Sequence, residues 1–114
     1  MKKILVIGVA ATFMFSRCSK DVPADTPSCV KIQIEQLKNQ AKRNPAAEIN
    51  EYIYKGRKVF LISAECCDQY NKLIDAKCNY ICAPSGGLTG KGDGKCTDFL
   101  ENAKHSRLIW KDPR

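Results

Sequence analysis

The sequence is poor in the residues from which catalytic and metal sites are usually built. Among its 114 residues there is one histidine, His105, and one tryptophan. A Ser-His or Cys-His nucleophilic system would have to use His105, with Ser85 or Ser106 as the candidate hydroxyl, and no G-x-S-x-G motif prepares a nucleophile. The sequence therefore predicts no catalytic residue, no metal site and no cofactor, and it favours a protein that is not an enzyme.

Long hydrophobic runs are also missing. The longest, Ile4 to Phe15, has twelve residues, whereas a lasting transmembrane helix needs about 20. Met1, Lys2 and Lys3 supply a positive start before this run, which is the pattern of a secretory signal peptide. We therefore expect residues 1–17 to be a signal peptide and the chain to be exported.

No segment combines clustered lysine and arginine with interleaved aromatic residues, the pattern of a nucleic-acid surface. The formal net charge is +7. Loss of residues 1–17 would remove three of the 19 basic residues, which leaves 16 against 12 acidic residues and a charge of +4. A small positive excess fits an anionic envelope surface, so we expect no nucleic-acid partner.

The number of cysteines is odd, and the position of Cys18 accounts for the odd one. Of the seven cysteines, Cys18 closes the apolar N-terminal stretch and six lie in the rest of the chain. A bacterial lipoprotein signal ends in a cysteine that is acylated; Ser16 fits that box, whereas Arg17 and Phe15 depart from its commonest residues. We predict that Cys18 is a lipidation site that anchors the protein to a membrane. The alternative is a plain secretory signal cleaved nearby.

The residues after Cys18 have the composition of a tether. Ser19 to Ser28 are mostly polar and include two prolines, which favours an extended linker. We therefore divide the chain into a signal peptide (1–17), a lipid-anchor cysteine with a flexible tether (18–28) and a disulfide-rich globular domain (29–114). The predicted location is the bacterial cell envelope, in the outer membrane; Asp21 hints at surface export but Lys20 interrupts that pattern, so the membrane face stays open.

Four apolar residues recur at helical spacing: Val30, Ile34, Leu37 and Ala41. This stripe predicts an amphipathic helix that opens after Pro27 and Ser28. Asn44-Pro45 should end it, because a residue before proline is disfavoured in the helical region.

Strand-like segments follow the helix. The runs on either side of Lys55-Gly56-Arg57 predict a β-hairpin, and a shorter hairpin is expected across Ala76-Lys77. Asp98, with Glu101 three residues later, predicts a capped short helix through about Lys104, and Arg107 to Lys111 a closing strand. The predicted fold class is α+β, a small single disulfide-rich domain with an antiparallel sheet.

The hairpin carries aromatic residues for which two interpretations are open. Tyr52 and Tyr54 share one face of their strand, and together with Phe60 they could form a binding face, since tyrosines are favoured at interfaces. The alternative is that this face packs under the first helix and Trp110.

The six remaining cysteines are candidates for three structural disulfides: Cys29, Cys66, Cys67, Cys78, Cys82 and Cys96. An oxidising compartment favours disulfides over zinc, and fifteen pairings are possible. We expect Cys29 to tie the first helix to the cysteine-rich region and Cys96 to tie the glycine-rich loop back. Adjacent cysteines usually bond to different partners, which we expect of Cys66 and Cys67.

The glycine-rich loop is the candidate binding site, and it comprises Gly86, Gly87, Thr89, Gly90, Lys91, Gly92, Asp93 and Gly94. Successive glycines can expose backbone N–H groups to a phosphate, but a nucleotide loop needs Ser or Thr after its lysine, and Gly92 follows Lys91. Asp93 and Asp98 could hold calcium, although the EF-hand spacing is absent. The third interpretation is a tight, solvent-facing loop in which glycines supply positive φ.

Three motifs occur together in this half of the chain. They are CCD at 66–68, ICAPSGGLTGKGDGKC at 81–96 and IWKDPR at 109–114. With the Y-x-Y-x-G-x-x-V hairpin before them, they resemble a family of small Bacteroidetes-type lipoproteins filed as a domain of unknown function. The resemblance spans about Cys29 to Arg114 and implies no activity, cofactor or active site.

The sequence thus favours a non-enzymatic lipoprotein that acts as a binding or structural module and has an envelope protein as its partner. The first alternative is a small enzyme inhibitor that presents the glycine-rich loop to a protease, because preorganised loops lose less entropy on binding. The second alternative is a metal-binding or redox protein.

Overall fold

The computed structural model describes residues 22–66 and 68–114. The elements run in the order α1 (Ser28–Lys38), β1 (Glu48–Tyr54), β2 (Arg57–Ile62), β3 (Tyr70–Ile74), β4 (Tyr80–Gly86), α2 (Phe99–Asn102) and β5 (Lys104–Lys111). The strands form one antiparallel sheet in the order β4-β3-β2-β1-β5. The α+β class with a small antiparallel sheet is therefore confirmed. Among the described residues, no helix is long and apolar enough to cross a membrane.

Both predicted hairpins are present. In the first, Tyr54 pairs with Arg57 across a two-residue turn in which Lys55 and Gly56 both have positive φ, +55° and +79°. Two consecutive positive φ values define the turn that best matches the twist of antiparallel strands. In the second, β3 and β4 are joined by a turn that Asp75 organises by accepting the backbone N–H groups of Lys77 and Asn79.

One face of the sheet is covered by α1. The cluster there consists of Val30, Ile34, Leu37, Ala47, Ile49, Phe60, Ile74, Ile109 and Trp110. Its helix members recur at the spacing that the sequence pattern indicated, and β1 and β2 contribute one residue each, Ile49 and Phe60. This cluster is the larger of the two cores described here, and it holds α1 on the sheet by burying apolar surface.

The opposite face is covered by α2 and the segment before it. Its cluster comprises Tyr54, Val59, Leu73, Cys82, Cys96 and Phe99. Tyr52 and Tyr54 belong to this side, where both rings meet Phe99 edge-on at centroid distances of 5.0 and 5.2 Å. The interpretation in which these tyrosines pack under the first helix and Trp110 is therefore wrong, because the strand alternation places them on the other face from α1.

The first helix ends earlier than expected, at Lys38 instead of Asn44. Leu37 is its last buried residue, and Ala41, the fourth member of the apolar stripe, is exposed. A longer helix would therefore bury no further apolar side chain of this stripe. The Arg114 guanidinium donates to the carbonyl oxygens of Leu37 and Gln40 at 3.2 and 2.9 Å, which satisfies backbone acceptors at the helix end.

The described part of the predicted tether contacts the domain. Thr26 is buried, and Val22 packs against the α1 core cluster. Asp25 accepts from Arg107 at 2.7 Å, and Arg107 also donates to Glu51, a carboxylate only 2% exposed. The Val22–Ser28 stretch is thus seated on the sheet. Residues 1–21, with the predicted signal peptide and Cys18, and also Cys67, lie outside the described residues.

Candidate binding loop and groove

The chain leaves β4 at Gly86, makes a loop and returns alongside the strand. On the return, the N–H of Gly92 donates to the carbonyl of Gly86 at 3.0 Å, and the N–H of Asp93 donates to that of Ala83 at 2.9 Å. Gly86 and Lys91 form a parallel bridge. Because β4 is at the edge of the sheet, the loop takes up carbonyl groups of that edge that would otherwise remain open.

The tip of the loop is a tight turn. The N–H of Gly90 donates to the carbonyl of Gly87 at 3.2 Å, and the N–H of Lys91 donates to the Thr89 hydroxyl at 3.1 Å. Leu88 lies within this turn and is 89% exposed. The loop therefore presents an apolar side chain from a hydrogen-bonded frame.

At two positions of the loop, Gly86 and Gly92, a side chain would clash with neighbouring backbone and the backbone conformation also favours glycine. A Cβ at Gly92 would lie 1.9 Å from the carbonyl oxygen of Ala83, and one at Gly86 would lie 2.4 Å from that of Gln69. Both have positive φ, +79° and +89°, where side chains are unfavourable. The loop can thus lie directly on the β4 backbone only because these positions lack a side chain.

Two disulfides fix the loop and the helix. Cys82 is bonded to Cys96, which closes the glycine-rich segment, and Cys29 is bonded to Cys78, which ties α1 to the β3–β4 turn. Cys66 is also disulfide-bonded. The sulfur atoms of these five cysteines are in disulfides, whereas zinc needs thiolates, so in this state they do not supply zinc ligands.

Two tyrosines form hydrogen bonds with aspartates of the segment between β4 and α2. Tyr80 donates to the Asp93 carboxylate in the loop, and Tyr54 donates to the Asp98 carboxylate before α2 at 2.6 Å. These hydrogen bonds hold the pKa values of both aspartates below their usual range. The hydrogen bond to Asp98, with burial second, raises the pKa of Tyr54 to about 12; burial, with Asp93 second, raises that of Tyr80 to about 12. Near neutral pH the phenols keep their protons and donate to charged carboxylates.

The predicted helix cap at Asp98 takes a different form. Its second carboxylate oxygen accepts from the Asn102 amide at 3.1 Å, and within the described chain its side chain makes no cap hydrogen bond to the backbone of α2. The carboxylate is instead used to join α2 to Tyr54 on the sheet. The pattern of Asp98 and Glu101 predicted a cap from local sequence alone, whereas Tyr54, which is distant in sequence, binds the Asp98 carboxylate instead.

Neither ligand chemistry proposed for the loop is supported by its geometry. A phosphate cradle needs free backbone N–H groups, yet those of Gly86, Gly87, Gly90, Lys91 and Gly92 all donate within the protein. The Asp93 and Asp98 carboxylates, considered for calcium, each accept hydrogen bonds from protein groups. Across residues 22–66 and 68–114, no three metal-ligating side chains come together.

A groove lies between the loop and α2. It has a volume of about 330 Å³ and is lined by Pro84, Ser85, Gly90, Lys91, Cys96, Thr97 and Leu100. Leu100 is 82% exposed, and Lys91 is exposed too. The groove thus has a disulfide beside it, an apolar residue on the helix side and a cation on the loop side.

The candidate nucleophilic residues are not assembled into a catalytic system. His105 lies on β5, and its Nε2 is 2.8 Å from the Asn50 side-chain oxygen. The Ser106 hydroxyl donates to Glu51 at 2.8 Å, and the Ser85 hydroxyl accepts from Asn71 at 3.0 Å. Each of the three side chains is therefore bonded to a different partner.

Sequence reasoning missed two residues of this surface. Leu88 is the one large apolar residue in the stretch Gly86–Gly94, and that contrast was an available signal. Leu100 follows Phe99, the first residue of α2. Phe99 is buried in the core and is 2% exposed, and Leu100 is therefore left on the outside of the helix. No local pattern distinguishes the two apolar neighbours in advance.

Fold and site together define a small, disulfide-linked α+β domain that presents a hydrogen-bonded glycine-rich loop beside a groove of mixed polar and apolar lining. The chain belongs to the family described as a domain of unknown function (DUF6970), which matches residues 35–112. This match includes all five strands, the glycine-rich loop and α2. No curated protein and no solved structure matches the chain.

Proposed function

We propose that this protein is a lipid-anchored, non-enzymatic binding module of the bacterial envelope, and that it uses the loop tip and the adjacent groove to hold a partner protein. The observation that carries the proposal is the pair Leu88 and Leu100, the two most exposed large apolar side chains among the described residues. Exposed apolar side chains beside a groove are common at protein interaction sites. The Lys91 cation next to them favours an acidic or polar rim on the partner.

The loop is preorganised for binding. Its turn, its bridge to β4, the Cys82–Cys96 disulfide and the Tyr80–Asp93 hydrogen bond all restrict it before any partner arrives. A partner then has little loop entropy to remove, which raises affinity for a given contact area. These restraints support a binding role more directly than a purely structural one.

The anchor part of the proposal rests on the sequence around Cys18. The apolar run before it and the odd cysteine count support acylation there, and several acyl chains would hold the domain at a membrane without a spanning helix. The outer membrane is the proposed location.

The inhibitor hypothesis is a second form of the same loop function, but the backbone weighs against a substrate-like mode. A peptide that occupies a protease cleft usually lies there as an extended strand. The loop has positive φ at Gly86, Gly87, Gly90, Gly92 and Gly94 and is folded into turns. We therefore favour a partner that contacts the loop tip and groove over a protease that threads the loop.

Photo-cross-linking in the native cells tests the binding surface. A photoreactive residue is placed at position 88 or at position 100, and at Ile32 and Leu108 as matched controls, since these are also exposed apolar residues, 57% and 47%. We expect one discrete protein adduct of the same mass from positions 88 and 100, and none from the controls. The adduct at position 100 should disappear when Leu88 is changed to Asp.

The proposal fails if positions 88 and 100 give no adduct while the protein is present in the envelope at normal amount. Equal adducts at all four positions would also contradict it, because they would indicate contact without a preferred surface.

A further inference from the structure

The turn end of the sheet carries exposed basic side chains, among them Lys55, Arg57, Lys58 and Lys77; we name these four the basic end. They come together because β2 begins and β3 ends at the same end of the sheet. Phe60 pairs with Ile74, so the Lys55-Gly56 turn and the Asp75–Asn79 turn are neighbours. Part of this surface is a shallow depression of about 540 Å³ lined by Arg57, Lys58, Asp75, Ala76, Lys77 and Asn79.

Three aspartates near the basic end, Asp25, Asp75 and Asp98, each accept hydrogen bonds from other protein groups. Asp75 accepts the backbone N–H groups of Lys77 and Asn79, which lowers its pKa. Asp25 is 3.8 Å from the Lys58 ammonium but is bonded more closely to Arg107. Within residues 22–66 and 68–114, the side chains of Lys55, Arg57 and Lys77 have no carboxylate within 4 Å. None of these three side chains is therefore held in a close ion pair with a described residue.

The N-terminal segment reaches the domain at this same end. Cys29, in the first turn of α1, is bonded to Cys78 in the β3–β4 turn, and Asp25 lies against Lys58. Cys18 precedes Val22 by four residues and Asp25 by seven. Since an extended chain spans at most about 3.6 Å per residue, Cys18 lies within about 14 Å of Val22 and about 25 Å of Asp25.

We propose that the basic end lies against the anionic headgroups of the membrane that holds Cys18, which orients the domain with this end down. This inference rests on the anchor in the proposed function and adds an orientation to it. A short tether limits the separation, and positive side chains near an anionic surface each strengthen association by roughly fivefold, with a reach of about one Debye length. The opposite end of the sheet, with Lys111 and Lys42, then faces away from the lipid.

Lysine footprinting on the mature, acylated protein tests the orientation. The protein is reconstituted in vesicles of phosphatidylcholine alone, in vesicles that also contain phosphatidylglycerol, and in neutral detergent micelles. A water-soluble acylating reagent then labels exposed lysines. We expect Lys55, Lys58 and Lys77 to be labelled several-fold less in the anionic vesicles than in micelles, while Lys42 and Lys111 do not change. High salt should restore the labelling.

Paired charge variants separate the basic end from general charge. The change R57Q/K77Q should restore labelling of Lys55 and Lys58 in anionic vesicles, whereas the control K42Q/K111Q, which removes the same charge at the other end, should not. Equal labelling of both ends in vesicle-bound protein overturns the orientation and leaves the anchor intact. Protection by inorganic phosphate in micelles, or by a nucleic acid, overturns it as well, because the basic end would then bind free anions. A protein that does not float with the vesicles overturns the anchor, and this inference with it.

Discussion

The double change Cys29→Ala/Cys78→Ala is expected to lower the free energy of unfolding by about 4 kcal/mol, because it removes a cross-link between residues 49 apart. A domain of this size has a total stability of roughly 5–14 kcal/mol, so the melting temperature should fall by about 20 °C. Cys78 has φ of +64°, and alanine keeps a Cβ there, so the local backbone strain is the same in both proteins. Urea and thermal unfolding of the oxidised proteins measure the change.

The comparison protein for this prediction is Cys82→Ala/Cys96→Ala, which opens a loop of only 14 residues' separation. The entropy term there is smaller, about 3 kcal/mol, although both sulfur atoms are also buried in the second core. A loss below about 1.5 kcal/mol for the Cys29/Cys78 variant would contradict the role of this disulfide in holding α1 on the sheet.

Gly92→Ala is expected to cost about 3 kcal/mol or more, because the new methyl group would overlap the Ala83 carbonyl oxygen, which is backbone and cannot move aside alone. The loop would have to lift from β4, so the hydrogen bond from Asp93 to Ala83 should be lost. Urea unfolding gives the free energy, and hydrogen exchange of the Asp93 amide shows whether the loop has lifted.

Gly90→Ala is the matched control for that change. Its φ of +78° is nearly the same as that of Gly92, but a Cβ there meets no atom within 4 Å. Only the backbone strain of a left-handed alanine applies, about 1 kcal/mol. If the two variants lose the same stability and the Asp93 amide hydrogen exchanges equally fast in both, the loop does not pack closely against the β4 backbone.

The parts of the fold that follow from local pattern were predictable. The hairpin of β1 and β2 follows from alternating apolar residues around Lys55-Gly56, and a glycine second in a two-residue turn is a strong local signal. The disulfide partners expected for Cys29 and Cys96 were placed only by region, because fifteen pairings are open to six cysteines. In the structure, Cys29 is bonded to Cys78 and Cys96 is bonded to Cys82.

The parts that depend on distant contacts were not predictable. The helix ends at Lys38, one residue after its last buried side chain, Leu37, and Arg114, 77 residues away from Leu37, donates to the Leu37 carbonyl. Asp98 appears in the sequence as a helix cap, but its partner Tyr54 is 44 residues away. Likewise, the N–H of Gly87 donates to the carbonyl of Gln69, 18 residues earlier in the chain, and the local sequence gives no sign of this bond.

Intact mass of protein taken from its own membranes, before and after reduction and alkylation, tests the central claim that this is a lipid-anchored, disulfide-linked module. We expect acyl chains on an N-terminal Cys18, no alkylated cysteine before reduction and six afterwards. A mass without acyl chains would contradict the anchor. An alkylated thiol at Cys29, Cys78, Cys82 or Cys96 before reduction would contradict the disulfide frame on which the rigid loop depends.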